Sequence, residues 1–269
     1  MTGKKLTLLN MQTVLFHSTI FGPIHSRRLG VSLGINLMPN DGKMCSFDCL
    51  YCEAGFNAQG PGTTGVPKRE TVKRMLKHKL EEMKAEGSPL DVITFSGNGE
   101  PTLHPQFKDI VHDVKVLRDH YYPQAKVSVL SNATMAGRPT VAAALKTVDN
   151  NILKLDSAIA STFLHLNRPA SHNVIPEGII EDLRQFAHQC IVQTMMVRGE
   201  YEGVKIDNTT DAEIEALIDA YRIIQPQEVM IYSLDRKTPA EHLEKVPAEE
   251  LQRIGARIEA AGFKVQVNA

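Results

Sequence analysis

The sequence contains no tryptophan, only four cysteines in 269 residues, and no long apolar run. A membrane-spanning helix needs about 20 mainly apolar residues, so none is expected. Four cysteines are too few for the disulfide scaffold of a small secreted domain, and the N-terminal residues lack a convincing signal-peptide pattern. We therefore expect a cytoplasmic protein with a mainly aliphatic core and no membrane partner.

The sequence also lacks an excess of charge of either sign, because it contains 30 basic and 31 acidic residues and its net charge is −1. Proteins that bind nucleic acid or anionic membranes usually carry a strong basic field. The composition therefore does not favour a nucleic-acid partner, although it leaves a local basic patch open.

Short aliphatic runs along the chain predict strands that are buried on both faces of a parallel sheet. The predicted strands are Ile35–Met38, Val92–Phe95, Val127–Leu130, Ile152–Leu155, Ile191–Met196 and Val229–Tyr232. A further run, Val265–Val267, predicts an edge strand.

Apolar residues at helical spacing predict helices between these strands. The predicted helices lie near 69–86, around Phe107–Leu117, around Ile214–Tyr221 and around Leu251–Ile258. Gly87 and Gly262 stand where two of these helices would end, as C-terminal glycines often do.

The alternation of strand and helix predicts an α/β fold with parallel strands and right-handed crossovers. Six repeats are too few for a closed eightfold barrel, so we expect a partial (β/α)6 TIM-like barrel. Its active site should lie at the carboxyl ends of the strands. We expect one domain, with an N-terminal extension over about 1–30, a core over about 31–235, and a C-terminal helix and strand over about 236–269.

Three of the four cysteines, Cys45, Cys49 and Cys52, crowd into eight positions with the spacing C-x3-C-x2-C. They follow the first predicted strand and so fall at the predicted catalytic end. Thiolates are the usual ligands of iron–sulfur clusters. Three of them can hold three irons of a cubane and leave the fourth iron open to a substrate or cofactor, unless Cys190 binds it.

Two alternatives use the same cysteines differently. A zinc site could add His25 or His104 as a fourth ligand, although the spacing is not that of paired zinc knuckles. Four cysteine ligands would instead make an electron carrier. Because Cys190 begins an apolar predicted strand, we interpret it as a buried core residue.

The cysteine loop, with Tyr51 just before the last cysteine, resembles the defining motif of the radical S-adenosylmethionine (SAM) superfamily. The segment Ser96–Pro101 follows the second predicted strand and resembles that family's Gly-Gly-Glu-Pro motif, with Asn98 between the two glycines. Glycine allows a ligand to approach the backbone closely, and carbonyl groups with Glu100 could accept hydrogen bonds from the methionine ammonium.

The resemblance implies one [4Fe–4S] cluster on Cys45, Cys49 and Cys52, and SAM as the second cofactor. It implies that SAM is contacted by residues at the strand ends: Tyr51, Gly97, Asn98, Gly99, Glu100, Ser131, Asn132 and Asp156. Further strand-end and loop residues are predicted to contact the substrate: Lys154, Gln193, Tyr232, Arg236, Arg27 and Arg28.

One branch of the superfamily is more similar than others, namely the tRNA wyosine-base synthases and their short bacterial relatives. The segments that carry this resemblance are Phe21–Gly30, Leu155–Asp156, Arg168–Pro169 and Tyr232–Arg236. Wyosine synthases hold a second cluster on extra N-terminal cysteines, whereas no cysteine precedes Cys45 here. We therefore carry over the shared chemistry and not the wyosine reaction.

The expected activity is the reductive cleavage of SAM to a 5′-deoxyadenosyl radical, which abstracts hydrogen from a small-molecule or peptide substrate. An external one-electron reductant, flavodoxin or ferredoxin, is an expected partner. Two alternatives stay open at this point: a tRNA-modifying enzyme of the wyosine type and a zinc-stabilised binding module.

Overall fold

The computed structural model describes residues 14–26 and 29–269. Their strands are β1 (Ile20–Ser26), β2 (Gly30–Ile35), β3 (Val92–Phe95), β4 (Lys126–Ser131), β5 (Asn150–Lys154), β6 (Cys190–Tyr201), β7 (Val204–Asp207), β8 (Glu228–Ser233), β9 (His242–Lys245) and β10 (Val265–Asn268). Their helices are α1 (Arg69–Ala85), α2 (Phe107–Tyr121), α3 (Pro139–Leu145), α4 (Ala160–Asn167), α5 (Pro176–Leu183), α6 (Asp211–Ile224) and α7 (Ala248–Ala260).

The sheet is built on six parallel strands in the order β2-β3-β4-β5-β6-β8. At one end β1 pairs antiparallel with β2, and at the other β10 pairs parallel with β8. Ile24 of β1 and Ser32 of β2 line the same internal cavity, of about 130 Å³, as Gln193 of β6 and Met230 of β8. The two ends of the sheet therefore curve around one lumen, which confirms the predicted partial barrel.

The predicted helices are confirmed, and their apolar faces cover the outside of the sheet. In α1, for example, Val72, Leu76, Leu80 and Met83 recur at helical spacing and are all buried. Gly87, just beyond the end of α1, has a φ of 70°, which favours glycine. Among the described helices, none has both the length and the apolar character needed to cross a bilayer.

The first strand differs from its prediction, since β2 covers Gly30–Ile35 and not Ile35–Met38. The reason is Asn36, whose side-chain Oδ1 accepts hydrogen bonds from the backbone N–H groups of Met38 and Asn98, both at 3.1 Å. A side chain that bonds the backbone in this way ends the ladder and starts a loop. The aliphatic residues Leu37 and Met38 are buried within that loop.

The antiparallel parts of the sheet and the helices α3 to α5 were not predicted. The strand β6 continues past the barrel to Tyr201, where it pairs with β7 on one side and β9 on the other. These added strands have four residues each and only Ile206 of β7 is buried, so their sequences carry little apolar pattern.

Candidate functional site

The cysteine loop, residues 36–56, leaves the carboxyl end of β2 and lies over the mouth of the barrel. Cys49 is buried, while Cys45 and Cys52 are half-buried. Burial raises the pKa of Cys49 to about 11, so a bound metal or a nearby cation is needed to keep this sulfur as a thiolate.

A buried cation, Lys43, lies inside the cysteine loop. Its side chain is 1% exposed, and Nζ donates to the carbonyl of Gly55 at 2.8 Å and lies 3.4 Å from Asp48 Oδ1. Burial alone would lower the pKa of Lys43, but the negative charge of the three cysteine sulfurs and Asp48 outweighs burial and raises it. The ammonium therefore favours thiolates in this loop. No sequence motif singled out Lys43, although it lies two residues before Cys45.

The loop is also fixed through Asp48 and Asn57. Asp48 Oδ1 accepts a hydrogen bond of 2.6 Å from the backbone N–H of Asn57. The Asn57 amide in turn donates to the carbonyls of Cys45 and Phe47 at 3.3 and 3.2 Å. The backbone that carries the first cysteine is thus held by polar contacts from Asn57, just after the loop.

A second segment, Leu166–Ala170 at the end of α4, supports the loop from outside, and we call it the brace. Leu50 N–H donates to the Leu166 carbonyl at 3.0 Å, and Ala170 N–H donates to the Ser46 carbonyl at 2.9 Å. Between them, the side chain of Asn167 is buried and approaches Cys49 Sγ at 3.5 Å. The sequence marked Arg168–Pro169 only as part of the resemblance to the wyosine-synthase branch, and no pattern placed the brace against the cysteine loop.

Asp156 lies directly beneath the loop and is fully buried. Its Oδ2 accepts hydrogen bonds from the Tyr51 hydroxyl and from Asn167 Nδ2, the latter at 2.6 Å. Its Oδ1 accepts from the backbone N–H of Met195 at 2.9 Å and lies 3.5 Å from Lys154 Nζ. Asp156 and Tyr51 therefore join the cysteine loop to β5 and β6, and Asp156 has no exposed surface toward the mouth.

Lys154 lies at the carboxyl end of β5 between two tyrosines. Its Nζ is 3.3 Å from the Tyr232 hydroxyl, and it lies over the rings of Tyr51 and Tyr232 at 5.0 and 5.7 Å from their centroids. Burial alone would lower the pKa of Lys154, but Asp156 and the other negative groups outweigh burial and raise it. The structure thus brings together four of the predicted residues, Lys154, Tyr51, Tyr232 and Asp156, at the floor of the mouth.

The glycine turn, Ser96–Pro101, follows β3 and pairs with the cysteine loop through a parallel bridge between Met44 and Gly99. Gly97 and Gly99 have φ values of 139° and 142°. A Cβ on Gly99 would lie 1.9 Å from the carbonyl oxygen of Met44, and one on Gly97 would lie 2.5 Å from Asn36 Oδ1. The two glycines are therefore required by close approach to the cysteine loop itself.

The side chain of Asn98 is hydrogen-bonded within the protein, and the predicted contact of this residue with SAM stays a prediction. Its Nδ2 donates to the carbonyls of Phe16 and Pro39 at 3.0 and 2.9 Å, and its Oδ1 accepts from Phe16 N–H at 2.8 Å. The Asn98 carbonyl accepts from Met44 N–H at 3.0 Å. Because these groups are all engaged within the protein, Asn98 connects the segment before β1 to the cysteine loop.

Glu100 is buried and binds the neighbouring strand end. Its Oε1 accepts from the N–H and hydroxyl of Thr102 and from the Ser131 hydroxyl, at 3.0, 2.5 and 2.8 Å. Its Oε2 accepts from Asn132 N–H at 2.6 Å. Burial raises the pKa of Glu100, and these hydrogen bonds oppose that rise. Ser131 is engaged here, so its predicted contact with SAM stays a prediction.

Asn132 reaches the first cysteine. Its Nδ2 lies 3.5 Å from Cys45 Sγ and 2.9 Å from Ser46 Oγ, while its Oδ1 accepts from the N–H and hydroxyl of Thr134. The predicted cofactor residue is thus beside a cysteine sulfur.

The predicted substrate residues do not all lie at the same site. Tyr232 and Arg236 line a cleft of about 250 Å³ at the mouth, together with Tyr51 and Glu53. Arg236 Nη1 pairs with Glu53 Oε2 at 2.5 Å across this cleft. Gln193 lies deeper in the lumen, where its Nε2 contacts Met230 Sδ at 3.1 Å. Arg27 and Arg28 lie outside the described residues.

The donor set fits a cluster better than one metal ion. Among the described residues, no group of three or more His, Cys, Asp or Glu side chains is close enough to hold a single metal. In a cubane each thiolate binds a different iron, so three thiols on one loop are a donor set that suits a cluster. His104 is not available to zinc, because its ring nitrogens contact the Pro67 carbonyl and Gln106 N–H.

Cys190 is fully buried at the first residue of β6. The amino ends of the parallel strands lie opposite the cysteine loop, so Cys190 is remote from the other three cysteines. Burial raises its pKa to about 12, as expected of a core thiol. This position confirms the interpretation of Cys190 as a core residue. It excludes the hypothesis of an electron carrier whose cluster has four cysteine ligands.

Comparison with known proteins agrees with this geometry. Residues 40–206 match the family model described as the radical SAM superfamily. A UPF0026 protein of Helicobacter pylori (strain J99) is 29% identical over 219 residues, which is 81% of this chain and 66% of that protein. The chain therefore matches slightly less than two thirds of that relative's length.

Two solved structures share the fold. A radical SAM methyltransferase from Sphaerobacter thermophilus is 16% identical with a TM-score of 0.63, over 88% of this chain and 65% of that one. TYW1 with a lysine-pyruvate adduct bound is 12% identical with a TM-score of 0.55, over 85% and 73% of the two chains. The resemblance to the wyosine-synthase branch is thus matched at the level of the fold.

Since the family model covers more than half of the chain, the protein belongs to the radical SAM superfamily, whose enzymes use a [4Fe–4S] cluster and S-adenosylmethionine.

Proposed function

We propose that Cys45, Cys49 and Cys52 ligate three irons of the cluster, and that the protein cleaves SAM reductively to act on a small-molecule or peptide substrate. When bound, the cluster and SAM supply the 5′-deoxyadenosyl radical that abstracts hydrogen from the substrate. The observation that carries the proposal is one polar-braced loop with three thiols and a buried ammonium at the carboxyl end of a partial barrel. With Cys190 remote, the fourth iron has no cysteine ligand.

The methionine end of SAM is assigned to the edge of the mouth where Glu100 and Asn132 lie beside Cys45. A carboxylate offers about four lone-pair positions, and Glu100 Oε2 accepts one of the hydrogen bonds described above. This oxygen therefore retains capacity to accept a hydrogen bond from an ammonium group. Backbone groups of the glycine turn, Ser131 and Asn132 are proposed to complete the contacts.

The substrate is assigned to the cleft between β8 and the cysteine loop. Its volume of about 250 Å³ is at the lower limit of ligand pockets, which are roughly 300–1,000 Å³. That size suits a small molecule or one side chain of a peptide. Tyr232 and Arg236 line the cleft, and the Lys154 ammonium, which donates toward Tyr232, holds that ring at its floor.

An external carrier such as flavodoxin or ferredoxin is proposed to supply the electron. Apart from Cys45, Cys49, Cys52 and Cys190 the chain has no cysteine, so it offers no thiolates for a second cluster. The same fact argues against the wyosine reaction, which depends on a second cluster in the enzymes that the sequence resembles.

The test is anaerobic reconstitution with iron and sulfide, reduction with dithionite, and measurement of 5′-deoxyadenosine. Cys45→Ala, Cys49→Ala and Cys52→Ala should each reduce product formation to background, because each removes one iron ligand. Cys190→Ala is the matched control and should retain cluster and product. Robust cleavage in a loop variant, or loss of the cluster in the control alone, would contradict the ligand assignment. Salt-dependent tRNA binding would instead support the wyosine-type alternative.

A further inference from the structure

Two asparagine side chains donate toward cysteine sulfurs from opposite sides of the loop. Asn167 Nδ2 lies 3.5 Å from Cys49 Sγ, and Asn132 Nδ2 lies 3.5 Å from Cys45 Sγ. Distances of this size are within the range of N–H···S hydrogen bonds, since sulfur is larger than oxygen. A third donor, the backbone N–H of Phe47, also contacts Cys45 Sγ at 3.5 Å.

Asn167 is held in place by several independent contacts. The brace pairs its backbone with the loop, since Asp48 N–H donates to the Asn167 carbonyl at 3.0 Å. Its amide is fully buried and its Nδ2 also donates to Asp156 Oδ2 at 2.6 Å. An amide fixed in this way keeps an N–H directed at Cys49 without a cost in side-chain ordering at the time of reaction.

Burial makes this contact important for Cys49. That cysteine is 7% exposed, so water has little access to its sulfur. The Asp156 carboxylate beneath it is negative, and negative charge near a cluster disfavours the addition of an electron. Asn167 stands between the two and donates to both, so it offsets that repulsion at the sulfur.

Asn132 makes the same kind of N–H···S contact with Cys45 that Asn167 makes with Cys49. It is 6% exposed, and its Oδ1 forms a turn with Thr134 that fixes the amide plane. Its backbone N–H donates to Glu100 Oε2, which places the residue at the junction of the glycine turn and the cysteine loop. Its amide is therefore as well positioned as that of Asn167.

We propose that Asn167 and Asn132 are positioning residues whose N–H···S hydrogen bonds to Cys49 and Cys45 raise the reduction potential of the cluster. The proposal rests on the ligand assignment made above. Hydrogen bonds to the sulfurs are among the factors that set the potentials of iron–sulfur clusters. Reduction adds negative charge that is shared with the cysteine sulfurs, so N–H donors stabilise the reduced form more than the oxidised form.

The test is an EPR-monitored redox titration of the reconstituted full-length protein and three variants. Asn167→Leu removes the donor to Cys49, and Asn132→Ser keeps a hydroxyl for the Thr134 turn but is too short to reach Cys45. Asn151→Leu is the matched control, because Asn151 is fully buried in β5 and its amide has no hydrogen-bond partner in the described structure. Iron content is measured for each protein.

The expected result is a shift to a more negative midpoint potential in Asn167→Leu and in Asn132→Ser, with no shift in Asn151→Leu. Unchanged potentials in both variants, with the cluster retained, would overturn the inference and leave the ligand assignment intact. Absence of a cluster in the unmodified protein would instead refute the ligand assignment.

A measurement on the unmodified protein covers the case in which a variant fails to assemble. Protein labelled with 15N at asparagine is reconstituted, reduced and examined by pulsed EPR. A hyperfine coupling from side-chain 15N supports a hydrogen bond to a cluster sulfur, and its absence overturns the inference. Asn132→Ser should reduce this coupling without abolishing it, because Asn167 remains.

Discussion

The two sides of the barrel mouth use their polar groups in different ways. The cysteine loop follows β2, and its polar neighbours Lys43, Asn132 and Asn167 direct N–H groups or positive charge toward the three sulfurs. The glycine turn follows β3, and its side chains are used within the protein, with Asn98 bonded to Phe16. The cysteine-loop side thus carries the proposed iron ligands, and the glycine-turn side supports the cysteine loop.

This difference changes how the glycine turn is understood. Its resemblance to a SAM-binding motif predicts that carbonyl groups of the turn and Glu100 accept hydrogen bonds from the methionine ammonium. In the structure Gly99 lies against Met44, and Glu100 receives hydrogen bonds from Ser131 and Asn132. The turn therefore positions the cysteine loop, and its predicted contacts with SAM would be made by groups that also hold the loop in place.

The largest effect is expected from Gly99→Ala. A Cβ at this position would overlap the Met44 carbonyl, and the φ of 142° is unfavourable for alanine. Backbone strain and steric overlap together should lower the free energy of unfolding by about 3 kcal/mol or more. Chemical denaturation of the protein without its cofactors measures this change.

Gly65→Ala provides the control, because Gly65 also has a positive φ, of 67°, but nothing lies within 4 Å of the added carbon. It should cost only about 1 kcal/mol. Equal losses in the two variants would mean that the turn is not clamped against the cysteine loop.

A smaller effect is expected from Glu100→Gln. The amide keeps the shape of the side chain but turns one acceptor into a donor, which then faces the N–H of Asn132 or the donors at Oε1. An unsatisfied buried group costs about 1–3 kcal/mol of stability. We expect weaker SAM binding with nearly unchanged iron content, as measured by calorimetry and iron analysis of the reconstituted protein.

Lys43→Met tests the other side of the mouth by the same two measurements. It removes the buried ammonium next to the sulfurs and leaves the Gly55 carbonyl without its donor. Here iron content should fall, because the thiolates lose their compensating charge. If Glu100→Gln lost iron and Lys43→Met kept it, the division of roles between the two sides would be reversed.

The sequence predicted the repeating part of the fold and the place of the site. Apolar runs such as Val92–Phe95 are buried on both faces, so composition alone identifies them as strands. The short strands β7 and β9 have no such pattern, and Asn36 ended β2 through a side-chain hydrogen bond that no periodicity reveals.

Within the site, motif spacing identified the cysteines because three thiols in one loop are rare. Asn167 was missed because it lies at the end of α4 and not at the carboxyl end of a strand, and only folding brings the brace to the loop. The hydrogen bonds of the Asn98 side chain within the protein were not predicted, because a motif gives the order of residues and not the direction of a side chain.

The most direct test of the account is EPR spectroscopy of the reduced protein, prepared without oxygen, before and after addition of SAM. An open iron predicts the signal of one reduced [4Fe–4S] cluster whose g-values change when SAM is added. A missing cubane signal, or a cubane signal that SAM leaves unchanged, would contradict a three-cysteine cluster with an open iron.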